Sequence, residues 1–79
     1  MAFNRLVGRR IQQRRVRLGL SPEQYGLRIG VTGRTVRRVE TGFIPVRMNQ
    51  AKFASDMGLE VDELWPLSLD HRDLKRVAV

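Results

Sequence analysis

The chain has 79 residues, room for one small domain whose single core supplies about 3–5 kcal/mol of net stability. Its formal charge of +7 and pI near 11.5 point to a polyanionic partner. The absence of cysteine excludes a disulfide staple or Cys-based metal site, and no apolar run approaches the ~18 residues of a membrane span or a signal-peptide core.

Residues 1–4 are too few for a long basic arm. A first helix is expected from about Asn4 or Arg5 to Leu18, stopping at Gly19. Its apolar stripe is Val7, Ile11 and Leu18, with Leu6 beside it. Position 15, where the stripe needs an inward residue, holds Arg. A buried guanidinium needs a partner, and Glu40 is the one good candidate in the central segment. The alternative is that Arg15 reaches out to water.

The stretch from Leu20 to Gly42 reads as two short helices joined by a tight turn. Ser21 is a good N-cap, and Pro22 suits the first helical position because its missing N–H would be unpaired there. Tyr25 and Ile29 share a face, and Gly30 ends this second helix. Thr32 caps the third, which stops at Gly42. There Val36, Val39 and Glu40 lie on one face by i, i+3, i+4 spacing, and Arg34, Arg37, Arg38 and Thr41 on the other. Three arginines and no acid, on a helix anchored by its opposite side, suit a nucleic-acid reader.

Residues 43–48, FIPVRM, are unusually apolar for a loop. Phe43 and Ile44 are expected to cap the core; the alternatives are contact with a DNA backbone or a second subunit. A fourth helix is expected over about 47–57, with Phe53, Ala54 and Met57 inward and Gly58 as its stop. A short fifth helix should run from about Val61 to Trp65, with Asp62 and Glu63 near its positive end and Pro66 closing it. Beyond it, Leu69, Leu74 and Val77 are compatible with a weak helical face, a strand or a disordered end.

Charge is unevenly spread. Residues 1–52 carry 12 basic and 2 acidic side chains, and residues 53–79 carry 3 basic and 6 acidic. The basic part faces phosphate, the acidic part does not. Thirteen of the fifteen basic residues are Arg, which suits bidentate contacts to guanine and phosphate or simply reflects codon usage in a GC-rich genome. Enzyme chemistry has little to work with. His71, near Asp70 and Asp73, reads as a solvated surface group. Asp62 and Glu63 point to different sides of a helix, and no phosphate loop, nucleophile elbow or metal-ligand spacing is present. The chain is therefore expected to be no enzyme and to use no cofactor and no metal.

The pieces RRVRLGLS at 14–21, Tyr25-Gly26 (where Leu-Ala is usual), IGVT at 29–32, TVRRVETG at 35–42 and ASDMGLEVDELW at 54–65 stand in a definite order and spacing. Together they resemble the helix-turn-helix of phage-repressor and Cro-type regulators, the XRE family, over about residues 5–65. The resemblance implies an all-α, five-helix, lambda-repressor-like domain at 1–65, with 66–79 a short tail that is a candidate dimerisation segment. It also implies an Arg15–Glu40 ion pair between the first and third helices.

For function the resemblance implies a sequence-specific double-stranded DNA-binding regulator, a repressor or Cro-like protein acting by operator occupancy. Its recognition helix, about 33–41, would enter the major groove, with base contacts from Arg34 and Arg38 and Arg37 as a further candidate. Gly33 departs from the pattern, since many members carry Gln or another polar side chain there; it removes one reader and lets the backbone come closer to DNA. Phosphate contacts would come from the start of the second helix and from Ser21, Thr32, Thr35, Thr41 and Arg47, although Pro22 replaces the family's frequent Gln. Arg9, Arg10, Arg14 and Arg17 read as a solvated face, with DNA contact the alternative.

A single short helix reads few base pairs, so a homodimer on an inverted-repeat operator is expected. Its interface would use Leu59, Val61 and Trp65, with Trp65 equally suited to the core. The expected setting is the cytoplasm of a bacterial or phage-infected cell, at the nucleoid, with no membrane partner and no attached ligand-sensing domain. Two rivals share the fold: an antitoxin that also binds a small protein partner, and a recombination-directionality factor that bends DNA.

Overall fold

The apolar periodicities resolve into five helices in a computed structural model that describes residues 3–66. They are α1 (Arg5–Arg17), α2 (Pro22–Ile29), α3 (Gly33–Glu40), α4 (Arg47–Asp56) and α5 (Val61–Leu64). No strand forms among the described residues; one isolated antiparallel bridge joins Phe3 to Phe43. The expectations for His71 and for a tail packing through Leu69, Leu74 and Val77 fall on residues 67–79, outside the described residues.

Side-chain caps set three of the helix starts. Asn4 Oδ1 accepts from the Val7 amide at 3.0 Å and opens α1. Ser21 Oγ accepts from the Gln24 amide at 3.1 Å while Gln24 Oε1 accepts from the Ser21 amide at 2.8 Å, a reciprocal capping box that fixes α2. Thr32 Oγ1 accepts from the Thr35 amide at 3.1 Å and opens α3. Gly30 leaves α2 at φ 91°, a left-handed conformation that lets the chain turn within three residues into α3. The third helix stops slightly earlier than expected, at Glu40 with Thr41 as its cap, and the fifth stops at Leu64 with Trp65 as its cap.

α2 and α3 pack most extensively on each other, α1 lies across α3, and α4 packs on α2 and α5. Ile11, Tyr25, Val36, Val39, Phe53 and Leu64 are fully enclosed. Phe53 is the middle of an aromatic row, tilted against Tyr25 at 6.3 Å between ring centres and edge-on to Trp65 at 6.2 Å. Phe43, Ile44 and Met57 are partly buried against this core, whereas Leu6, read as flanking the stripe, is 72 % exposed. Gln50 faces back to the loop and donates to the Pro45 carbonyl at 2.8 Å, a use for a polar residue where the resemblance calls for Leu.

Two partly buried polar arrangements tie the helices. Arg15 Nε and Nη2 donate to Glu40 Oε2 and Oε1 at 2.6 and 3.0 Å, and Arg15 Nη1 donates to the Leu20 carbonyl at 2.9 Å. The pair links α1 to α3, with side-chain exposures of only 14 % and 7 %. The second centres on Asp56 at the end of α4. Its Oδ2 accepts from Tyr25 Oη at 2.7 Å and from Arg14 Nε at 3.1 Å, and its Oδ1 accepts from Arg28 Nε at 2.8 Å. Burial alone would push the Asp56 carboxyl up; the hydrogen bonds from Arg14, Tyr25 and Arg28 outweigh it and hold the group below its ordinary value. Burial first, and then the bond to Asp56, pushes the Tyr25 hydroxyl well above its ordinary value.

Glycine is required where backbones touch. A Cβ on Gly8 of α1 would lie 2.5 Å from the Val39 carbonyl oxygen and 2.7 Å from that of Glu40. A Cβ on Gly26 would lie 2.5 Å from the Val31 oxygen, which accounts for Gly where the resemblance calls for Ala. Gly8→Ala should therefore destabilise by about 1–3 kcal/mol, the range for forcing an extra methyl into a packed site. Helix propensity alone would favour Ala by about 1 kcal/mol. A urea midpoint that rises in the variant would contradict the close approach of α1 to α3.

Candidate nucleic-acid interface

α3 is held from behind and open in front. Val36 and Val39 are 0 % and 1 % exposed, and Glu40 turns inward to Arg15. With that side fixed, Arg34, Arg37 and Arg38 stand on the exposed side of the helix. The three arginines have different surroundings. Arg34 makes no hydrogen bond or ion pair among the described residues and is a donor fork facing water. Arg38 lies over the Phe43 ring, its guanidinium carbon 4.1 Å from the ring centre. Arg37 is ion-paired with Glu23 of α2.

The Glu23 contact corrects one expectation. The surface read from the third helix alone carries no acid, but packing of α2 brings a carboxylate onto it. Glu23 also fills the space beside Gly33, where a Cβ would come within 2.8 Å of its Oε2. The missing side chain at position 33 thus makes room for a neighbouring helix within the protein.

Phe43 is braced by the start of the chain. The Asn4 amide donates to the Gly42 carbonyl at 2.7 Å and Phe3 bridges Phe43, so residues 3–4 lie along the exit from α3. Arg5, Arg9 and Gln12 of α1 line a groove together with Glu40 and Thr41, placing two more guanidinium groups near that exit. Arg14, by contrast, is engaged by Asp56.

The candidate phosphate contacts are partly occupied within the protein. Ser21 and Thr32 serve as caps, and Thr32 Oγ1 also donates to Thr35 Oγ1 at 3.0 Å. Thr41 Oγ1 donates back to the Arg38 carbonyl at 2.7 Å. Arg47 Nη2 reaches Asp62 Oδ1 at 3.2 Å, an exposed pair that phosphate can replace at little cost. At the start of α2, Pro22 has no N–H, Gln24 closes the capping box and Glu23 adds a negative charge, which together weaken that end as an anion site.

Of the three interface candidates, Trp65 is 5 % exposed and belongs to the core, while Leu59 and Val61 pack against that core and stay partly accessible. Among the described residues no helix is long and apolar enough to cross a membrane.

Sequence reasoning misses Asp56, Glu23 and the pairing of Phe43 with Arg38. The first had a usable signal: an inward Tyr must find a partner for its hydroxyl, and Asp56 is an acid within the fourth helix. The other two depend on how separate elements meet, and periodicity within one helix does not report that.

A family model described as a helix-turn-helix domain matches residues 6–57, about two thirds of the chain. No curated protein and no solved structure matches it.

Proposed function

From the premise that this chain belongs to the helix-turn-helix domain family and is a DNA-binding protein of the regulator type, we propose that it is a phage-repressor or Cro-like member of the XRE kind. It acts by occupying an operator, with α3 as the recognition helix in the major groove. The observation that carries this reading is the two-sidedness of α3. Its inner side is locked by Val36, Val39 and the Arg15–Glu40 pair, while its outer side presents Arg34 and Arg38. A guanidinium fork matches guanine O6 and N7 in the major groove. A helix that cannot roll on its axis aims two such forks along fixed lines.

Arg34 and Arg38 have separate roles in this reading. Arg34 is the unencumbered fork, and Arg38 is steadied on the Phe43 ring, which lowers the entropy lost when it meets a base. Arg47, Thr41 and Thr35, with the capping residues Ser21 and Thr32, supply backbone contacts that set register. Arg5 and Arg9 extend the basic surface near the exit from α3. One helix reads too little sequence for genomic selectivity, so two copies bind an inverted repeat as a homodimer. Leu59 and Val61, packed against the core and partly accessible, are the apolar residues offered to a second copy in this reading.

The test is selection from a random duplex library with the parent protein and with Arg34→Ala and Arg38→Ala. Each substitution should relax one guanine-containing position in each half-site, by about 1–3 kcal/mol of discrimination, and leave the other positions fixed. Uniform weakening on every sequence, with a salt slope lower by about 1, would assign that arginine to phosphate instead.

A further inference from the structure

A side chain from α2 stands on the reading surface of α3. Gly33 is the first residue of α3, and the space beyond its Cα is taken by Glu23: a Cβ there would lie 2.8 Å from Glu23 Oε2 and 2.9 Å from its Cγ. Glu23 is also paired with Arg37, one helical turn further along the same row of α3. Both side chains are more than half exposed, 56 % and 57 %. The carboxyl is held below the ordinary glutamate value, first by its own backbone N–H and then by Arg37, so it is ionised at neutral pH. Where residue 33 contributes no side chain, an acceptor linked to a donor fork is presented instead.

We infer that Glu23 and Arg37 act as one specificity-determining unit that reads a C·G base pair near the start of α3, an inference resting on the DNA-reading role proposed above. An ionised carboxylate only accepts hydrogen bonds, whereas a guanidinium only donates. In the major groove cytosine offers the N4 amino donor, and guanine offers O6 and N7 acceptors. The acceptor–donor pair on the protein therefore mirrors the donor–acceptor edge of C·G. Adenine also carries an amino group, but its neighbouring N7 is an acceptor that repels a carboxylate. Thymine presents only O4 and a methyl group and has nothing to donate. The ion pair costs little to hold, because both members are exposed and already in contact in the free protein.

The experiment is selection from a random duplex library with the parent chain, Glu23→Ala and Glu23→Gln, followed by competition between selected duplexes differing at one base pair. The parent should enrich C·G at one position of each half-site. Glu23→Ala should lose about tenfold discrimination there and keep the other positions, including those relaxed by Arg34→Ala and Arg38→Ala. Glu23→Gln keeps the side chain's shape beside Gly33 and should move the preference from C towards A, because an amide both accepts and donates. A purely structural role for Glu23 would not change base identity. If both variants keep the parent's preference at every position and bind all duplexes more tightly, Glu23 only neutralises Arg37 and the inference is overturned. If the parent enriches nothing, the DNA-reading proposal falls and this inference with it.

Discussion

Arg15→Met should lose about 3–5 kcal/mol of folding stability, as much as a single core of this size supplies. The guanidinium makes three hydrogen bonds, two to the Glu40 carboxylate and one to the Leu20 carbonyl, in a site where both side chains are nearly covered. Removing Arg15 leaves the largely covered Glu40 side chain without its hydrogen-bond partner. α1 lies across α3 with a close backbone approach at Gly8, which keeps most of that carboxylate covered although one side of it lines the groove with Arg5 and Arg9. Met matches the aliphatic stem, so the loss reads electrostatics more than packing. The control is Arg15→Met combined with Glu40→Leu, which removes both charges and should recover most of the loss, since apolar replacement of a buried pair is often neutral or better. Urea denaturation of the four proteins of the cycle measures the coupling directly. An unchanged midpoint for Arg15→Met would mean that Arg15 does not bear on the fold through Glu40.

The second large effect is at Asp56, where one carboxylate joins α1, α2 and α4 through Arg14, Arg28 and Tyr25. Asp56→Ala should cost roughly 3 kcal/mol, the low end for breaking a buried pair, because Arg14 and Arg28 are partly exposed and can turn to water. The Tyr25 hydroxyl has no such escape, since the residue is fully enclosed. Tyr25→Phe in the Asp56→Ala background should therefore restore part of the loss by removing the orphaned donor. Linkage gives an independent sign. The folded-state value of Asp56 is depressed, so its contribution is fully present above the ordinary carboxylate range and lost as pH falls through the folded value. The parent should lose stability below about pH 4 more steeply than Asp56→Ala. Parallel acid profiles for the two proteins would contradict the hub.

The five helices, their order and four glycine stops are legible in the sequence because each is signalled locally, by a cap, a periodic face or a left-handed residue. The Arg15–Glu40 contact is legible for a different reason. A cation on an apolar stripe demands a partner, and the basic half of the chain contains only one inward acid. What escapes the sequence depends on approach between elements. Glu23 reads as an exposed residue in the first turn of α2, and nothing in its own helix says that α3 places Arg37 beside it. Gly33 reads as an omitted contact until the Glu23 side chain is found in the vacant space. Trp65 suits core or interface equally by pattern, and its edge contact with Phe53 places it in the core of the single chain. The exposure of Leu6 shows the limit of counting in 3.6s: the residue flanks the stripe, but among the described residues no helix covers that flank.

The central claim, that α3 is a rigid reader of operator DNA used in pairs, is tested most directly by enriching the purified chain's targets from random duplexes at physiological salt. The account predicts an inverted repeat, with half-sites about one helical turn apart and guanine fixed in each. Binding to every duplex alike, fading only as salt rises, would contradict it and reduce the arginines of α3 to a phosphate-facing surface.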